Sequence, residues 1–130
     1  MMEKEFRGLK NVVAVYLFGS SATGKAGKLS DIDIGVLLKK QPKDSRKMKL
    51  LLIAKLVDAF RNSKIDLVIL NECAPLLAFE VISKGKLIYG KRADVAEFEA
   101  LTCIRYHDRK YYYDRYAEET INRIAEKGLK

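Results

Sequence analysis

The 130 residues hold only two cysteines and one histidine, and these shortages close off several chemistries. Cys73 and Cys103 stand thirty positions apart with no Cys-x-x-Cys and no histidine cluster near them, so neither a zinc site nor thioredoxin-like exchange has its ligands. Both thiols are expected to be reduced and structural. His107, alone between Tyr106 and Asp108, reads as a surface or satisfied helical residue rather than a catalytic base. No apolar stretch approaches the roughly 20 residues of a membrane span, and the charged start Met1-Met2-Glu3-Lys4-Glu5 lacks the form of a signal peptide. The expected location is the cytoplasm. Repeats, low-complexity tracts and linkers are also absent. The expected organisation is one domain over 1–130 with no separate acceptor-binding module, so an acceptor must be small or be gripped by another chain.

Positive charge, by contrast, is plentiful. Lys and Arg number 25 against 17 Asp and Glu, a formal net charge of +8. That balance favours acidic ligands, including nucleotides, RNA and acidic proteins, without distinguishing among them.

Patterning predicts the order α-β-β-α-β-α-β-α. A short helix is expected over Glu3 to Leu9, a buried strand over Val12 to Phe18 and a second strand over Ile32 to Leu38. Pro42 breaks the chain, and Asp44 or Ser45 can cap a helix running to about Arg61. Its expected core stripe is Leu50, Ile53, Val57 and Phe60, with Lys43, Lys47, Lys49 and Lys55 on a solvated face. A strand follows in Lys64 to Leu70, then a helix that Pro75 starts and Gly85 ends. From Asp94 to Lys127 the chain reads as one long helix or two. Tyr113, Tyr116, Ile121 and Ile124 form an apolar stripe there, expected to pack on the sheet or on a partner. Within it, Arg105 to Tyr116 interleaves basic residues with tyrosines. Core packing, a protein interface and nucleic-acid stacking all fit that composition.

The chemistry sits in Leu29-Ser30-Asp31-Ile32-Asp33-Ile34-Gly35-Val36-Leu37-Leu38. Strand side chains alternate, so Ile32, Ile34, Val36 and Leu38 point one way and Asp31 and Asp33 the other. Two hard oxygen donors on one surface suit Mg²⁺, which takes one or two protein carboxylates and completes its shell with water and phosphate. Asp66 is a third acidic residue, in a strand whose core face is Ile65, Leu67 and Ile69. If that strand pairs beside the first, three carboxylates converge. Such crowding is unfavourable without cations and points to a two-metal arrangement.

Gly19-Ser20-Ser21-Ala22-Thr23-Gly24-Lys25 also satisfies the Gly-x-x-x-x-Gly-Lys of a P-loop. The next residue is Ala26, where a P-loop needs Ser or Thr for Mg²⁺, and Gly27 follows where a helix should propagate. The space before Asp31 is also too short for a parallel crossover of about a dozen residues.

Gly19-Ser20, ten intervening residues, Asp31-x-Asp33 and then Asp66 inside a later apolar strand resemble the nucleotidyltransferase superfamily of DNA polymerase β, specifically its minimal stand-alone members. The stretch Ala74 to Tyr89 is similar to the helix, glycine and short strand that close that minimal domain. The resemblance implies an α+β fold, a mixed central sheet flanked by helices, here with a C-terminal helical tail. It implies that Asp31 and Asp33 hold an ion bridging the triphosphate of ATP, that Asp66 joins them at a second Mg²⁺ and helps deprotonate the attacking hydroxyl, and that Gly19 and Ser20 cradle the phosphates. Ser30 and Lys25 complete the expected nucleotide-binding set. Many relatives carry arginines after Gly-Ser. Here Ser21 to Lys25 stand instead, which leaves phosphate charge to Lys25, Lys28 or the metals. The resemblance further implies an antitoxin that pairs with a HEPN-domain ribonuclease toxin and neutralises it, in some cases by attaching AMP to a tyrosine. The chain has no Arg-x4-6-His motif of its own. A small-molecule or RNA nucleotidyltransferase and a non-enzymatic binding antitoxin are the alternatives.

Overall fold

The computed structural model describes residues 9, 11–19 and 31–127. Strands β1 (Val12–Phe18), β2 (Ile32–Leu38), β3 (Ile65–Ile69) and β4 (Lys86–Tyr89) form one sheet, with helices α1 (Ser45–Phe60), α2 (Pro75–Lys84) and α3 (Arg92–Lys127) around it. The expected helix over Glu3 to Leu9 lies outside the described residues except for Leu9. Sheet order is β3-β2-β1-β4. β1 is antiparallel to both β2 and β4, while β2 and β3 run parallel, so the sheet is mixed, as the resemblance implies.

Local chemistry explains the helix bounds. The Asp44 carboxylate accepts the Lys47 backbone N–H at 3.2 Å and caps α1. Pro75 opens α2, where its missing N–H costs nothing. At the other end of β2 the Asn71 amide accepts from Leu38 N at 2.8 Å and donates to Leu38 O at 2.7 Å, so the last strand residue keeps both partners.

Two apolar layers cover the sheet. Val15, Ile34, Val36, Leu67 and Ile69 pack with Leu52 and Leu56 of α1. Ala14, Tyr16 and Leu37 pack on the opposite face with Val81 of α2 and Val95 of α3. A register shift between Val12 and Ala14 lets Val12 join Val15 on the α1 side despite their odd spacing.

The expected stripe of α1 needs correction. Leu50 is 68% exposed, and the helix buries Leu52 and Leu56 with Met48, Ile53 and Phe60 packed alongside. In Leu50-Leu51-Leu52-Ile53 all sides of a helix are apolar, so the phase is set by the four-residue steps from Met48 to Phe60.

The tail also differs from expectation. It is one helix beginning at Arg92, and its first half carries the contacts: Val95 and Thr102 are buried, and Tyr106 stacks on Phe79 of α2 with ring centroids 3.9 Å apart. Tyr113, Tyr116, Ile121 and Ile124 stand exposed and do not pack on the sheet. Tyr111 and Tyr112 are exposed as well, which removes core packing as their role. A 36-residue helix spans about 54 Å and outruns a body of this size.

Candidate active site

β2 carries its two functions on opposite faces. Ile34 and Val36 are fully buried under α1, whereas Asp33 looks toward the α2 side and is only half-buried. The reason lies two residues on. A Cβ on Gly35 would come within 3.1 Å of Val81 Cγ1 and 3.3 Å of Leu70 Cδ2, so the glycine lets α2 press close there. Asp33 lies one side-chain repeat before that covered position and keeps access to solvent.

β3 brings Asp66 to the same level. Asp33 and Asp66 are register partners in the parallel β2–β3 ladder, which opens with Ile32 N donating to Lys64 O at 2.8 Å. Asp66 is exposed, and Leu67 and Ile69 are buried around it. Asp31, also exposed, precedes β2 by one residue. Burial, followed by the charges of Asp66 and Asp31, pushes the Asp33 carboxyl above its ordinary range. Both neighbouring carboxylates therefore act on Asp33.

β1 contributes the turn. Phe18 pairs with Asp33 across the antiparallel ladder, and Gly19 follows at φ +66, a conformation that side chains disfavour. A Cβ on Gly19 would run into Oδ2 of Asp33 and stand 3.1 Å from its Cγ. The Asp33 carboxylate thus packs directly against the Gly19 backbone, in the place a side chain would take. Ser20, Lys25 and Ser30 lie outside the described residues.

The donor set fits a hard divalent cation that takes one or two carboxylates from protein and the rest of its shell from phosphate and water. Among the described residues, no group of three or more His, Cys, Asp or Glu side chains is gathered closely enough to hold a metal by itself. Asp31, Asp33 and Asp66 are brought to one end of one sheet face without closing into such a group.

The P-loop alternative fails on topology. The strand before the glycine turn pairs antiparallel with the strand after it, whereas a P-loop joins parallel strands through a helix. His107 stands away from the carboxylates, edge-on to Phe79 and Tyr106. Cys73 and Cys103 are free thiols. The Cys73 thiol donates to Leu70 O at 3.8 Å, and burial raises its pKa.

Two elements of this arrangement escaped sequence reasoning. Gly35 looked like one more strand residue, and nothing in the sequence marked it as the point where α2 touches down. Tyr16, buried in β1, donates to Glu99 Oε1 of α3 at 2.7 Å, and Arg92 stands 3.5 Å from the same oxygen. That network ties α3 to the strand that presents Gly19; an isolated Tyr in an apolar run gives no sign of it.

Comparison with known proteins agrees with this geometry. The family described as Polymerase beta, Nucleotidyltransferase matches residues 2–94. The protein adenylyltransferase MntA of Shewanella oneidensis is 34% identical over 92 residues, which cover 71% of this chain and 64% of that protein. The aligned part is thus less than two thirds of the relative's length. Among solved structures, a chain of a toxin–antitoxin crystallised with AMP-PNP superposes with a TM-score of 0.77 at 27% identity, covering 92% of this chain and 95% of its own. A chain from the complex of a tri-AMPylated Shewanella oneidensis HEPN toxin with an MNT antitoxin gives 0.70 at 26% identity, covering 92% of each. With the family model matching residues 2–94 of its 130, the chain belongs to the polymerase beta nucleotidyltransferase family.

Proposed function

We propose that the protein transfers AMP from ATP to a hydroxyl of a HEPN-type ribonuclease and is the antitoxin of that pair. The observation that carries this reading is the alignment of Asp33 with Asp66 across β2 and β3, with Gly19 set directly against the Asp33 carboxylate. The names of the relatives supply the acceptor class: an adenylyltransferase, and complexes with a HEPN toxin.

In this reading Asp31 and Asp33 would hold one Mg²⁺, and Asp66 would join them in holding a second. When bound, the ions supply positive charge for the attacking and leaving oxygens. Gly19, whose backbone lies against the Asp33 carboxylate where a side chain would displace it, would help cradle the phosphates, and Ser20, Ser30 and Lys25 would add hydroxyl and ammonium donors. The acceptor hydroxyl loses its proton toward Asp66 and its oxygen bonds to the α phosphorus. The bond from that phosphorus to the β-bridging oxygen breaks, and pyrophosphate leaves. Use of ATP makes the cytoplasm the location that this reading expects.

The test is incubation of the protein with ATP labelled at the α phosphorus, Mg²⁺ and the HEPN-domain product of a neighbouring reading frame. Label on that partner with release of pyrophosphate is expected, and the double variant Asp31→Asn, Asp33→Asn should lose it by at least about a hundredfold. ADP and orthophosphate as products, or full transfer by the double variant, would overturn the reading.

A further inference from the structure

The active-site side of the β3 segment begins before Asp66. Ile65, Leu67 and Ile69 turn toward α1, so Asp66 and, one side-chain repeat earlier, Lys64 take the opposite side, where Asp33 lies. The ladder already includes Lys64, whose carbonyl accepts the Ile32 N–H at 2.8 Å. Ile32 pairs with Ile65 and Asp33 with Asp66, and one further step of that register sets Lys64 against Asp31. Lys64, Asp31 and Asp66 are all exposed. A lysine thus stands at the fourth corner of an array whose other corners are Asp31, Asp33 and Asp66.

The backbone under this lysine is fixed on both sides. Besides the bond from Ile32, its own N–H donates to Asn62 Oδ1 at 2.8 Å, just after Arg61 ends α1 in the left-handed conformation. A flexible four-carbon stem on a fixed backbone carries the ammonium over its neighbours without moving the strand.

We propose that the Lys64 ammonium binds a phosphate of the nucleotide held at Asp31 and Asp33. Charge calls for such a cation. Even two divalent ions leave a triphosphate and three carboxylates with surplus negative charge, and the segment from Gly19 to Ser30 contains no arginine to meet it. Residues 31–38 and 64–70, which supply the carboxylates, contain no basic side chain other than Lys64. A compact ammonium with three donors suits a phosphate, which it meets as a point charge. The inference rests on the nucleotide site given under Proposed function, but not on the identity of the acceptor.

The test is calorimetric titration of the isolated full chain with AMP-PNP in millimolar Mg²⁺. Wild type is compared with Lys64→Met, which keeps the stem and drops the charge, and with Lys64→Arg, which keeps the charge. Lys64→Met should weaken AMP-PNP binding by about ten- to a hundredfold, and Lys64→Arg by no more than about threefold. A lysine that served only to balance the carboxylates would give the opposite sign, since its loss leaves them a stronger ligand set for cations. Unchanged or tighter binding of AMP-PNP by Lys64→Met therefore overturns the proposal; if Asp31→Asn, Asp33→Asn abolishes binding in the same experiment, the nucleotide site itself stands. Equal losses in Lys64→Met and Lys64→Arg make shape rather than charge the cause and also overturn it. No binding by wild type removes the nucleotide site and this proposal together.

Discussion

Asp33 and Asp66 face each other as register partners across two parallel strands, and the charge of Asp66 helps hold the Asp33 carboxyl above its ordinary pKa. Both come from short β-strands with buried aliphatic neighbours, so neither can withdraw without breaking the ladder. The rigid sheet stores repulsion at the point where a cation would relieve it.

Burial of Asp33 and, after it, that repulsion act with one definite sign. Because folding raises the Asp33 pKa, the native state binds more protons than the unfolded chain between the two values, and stability falls as pH rises through that window. Without divalent cation, Asp33→Asn should therefore melt above wild type at pH 7, and the gap should shrink toward pH 4. Millimolar Mg²⁺ should narrow it from the other side by stabilising only the wild type. An Asn variant no more stable than wild type at pH 7 would remove the repulsion argument.

Gly19→Ala should affect fold and chemistry together. The φ of +66 costs a non-glycine residue roughly 1–2 kcal/mol, and the new Cβ must push the Asp33 carboxylate aside. A displacement of about 1 Å at a reacting centre can cost ~100-fold, so AMP transfer should fall by that order. Denaturant unfolding and labelled-ATP assays check the two parts.

Tyr16→Phe deletes the bond between β1 and α3. Burial first, then the hydrogen bond and charge of Glu99, push the Tyr16 phenol well above its ordinary range, outweighing Arg92. The wild type should lose stability as pH rises above the ordinary tyrosine pKa, because the unfolded phenol ionises first. In an alkaline absorbance titration one of the seven tyrosines should ionise only on unfolding, and the variant should lack that step. At pH 7 the variant should be about 1–3 kcal/mol less stable.

Gly35→Ala places a methyl group 3.1 Å from Val81 Cγ1. Overpacking of this kind costs about 1–3 kcal/mol, and the strain falls where α2 meets the carboxylate strand. Urea unfolding should register the loss. Unchanged stability would mean that α2 is free to lift.

The parts of this molecule that could be read from sequence share one property: their cause is local. Alternation around Asp31 and Asp33 separates core face from site face, and Asp44, Pro75 and Gly85 mark helix ends by their own backbone chemistry. Asp66 was readable as an outward residue, but its role depends on β3 choosing β2 as a neighbour, which no short window of sequence encodes. The Leu50 error arose where four successive apolar residues erase the helical phase. At Tyr113 and Tyr116 the periodicity was real, but an apolar stripe records only that something covers it, and the same spacing serves a domain core or another protein. The contact of Gly19 with Asp33 spans two strands, and the sequence points to it only through the Gly19-Ser20 and Asp31-x-Asp33 spacing of the family resemblance.

The parallel pairing of β2 with β3 also bears on the order of events as the chain folds. Asp33 and Asp66 are thirty-three positions apart, with α1 between them, whereas antiparallel neighbours can zip from a turn. The crossover through α1 must dock before the two carboxylates meet, and closing such loops is slow relative to helix formation. Partly folded chains thus present apolar helices well before they present the acidic site. If the proposed function holds, nucleotide and cation would bind only the finished sheet, draw the late intermediate forward and act as folding ligands for the domain.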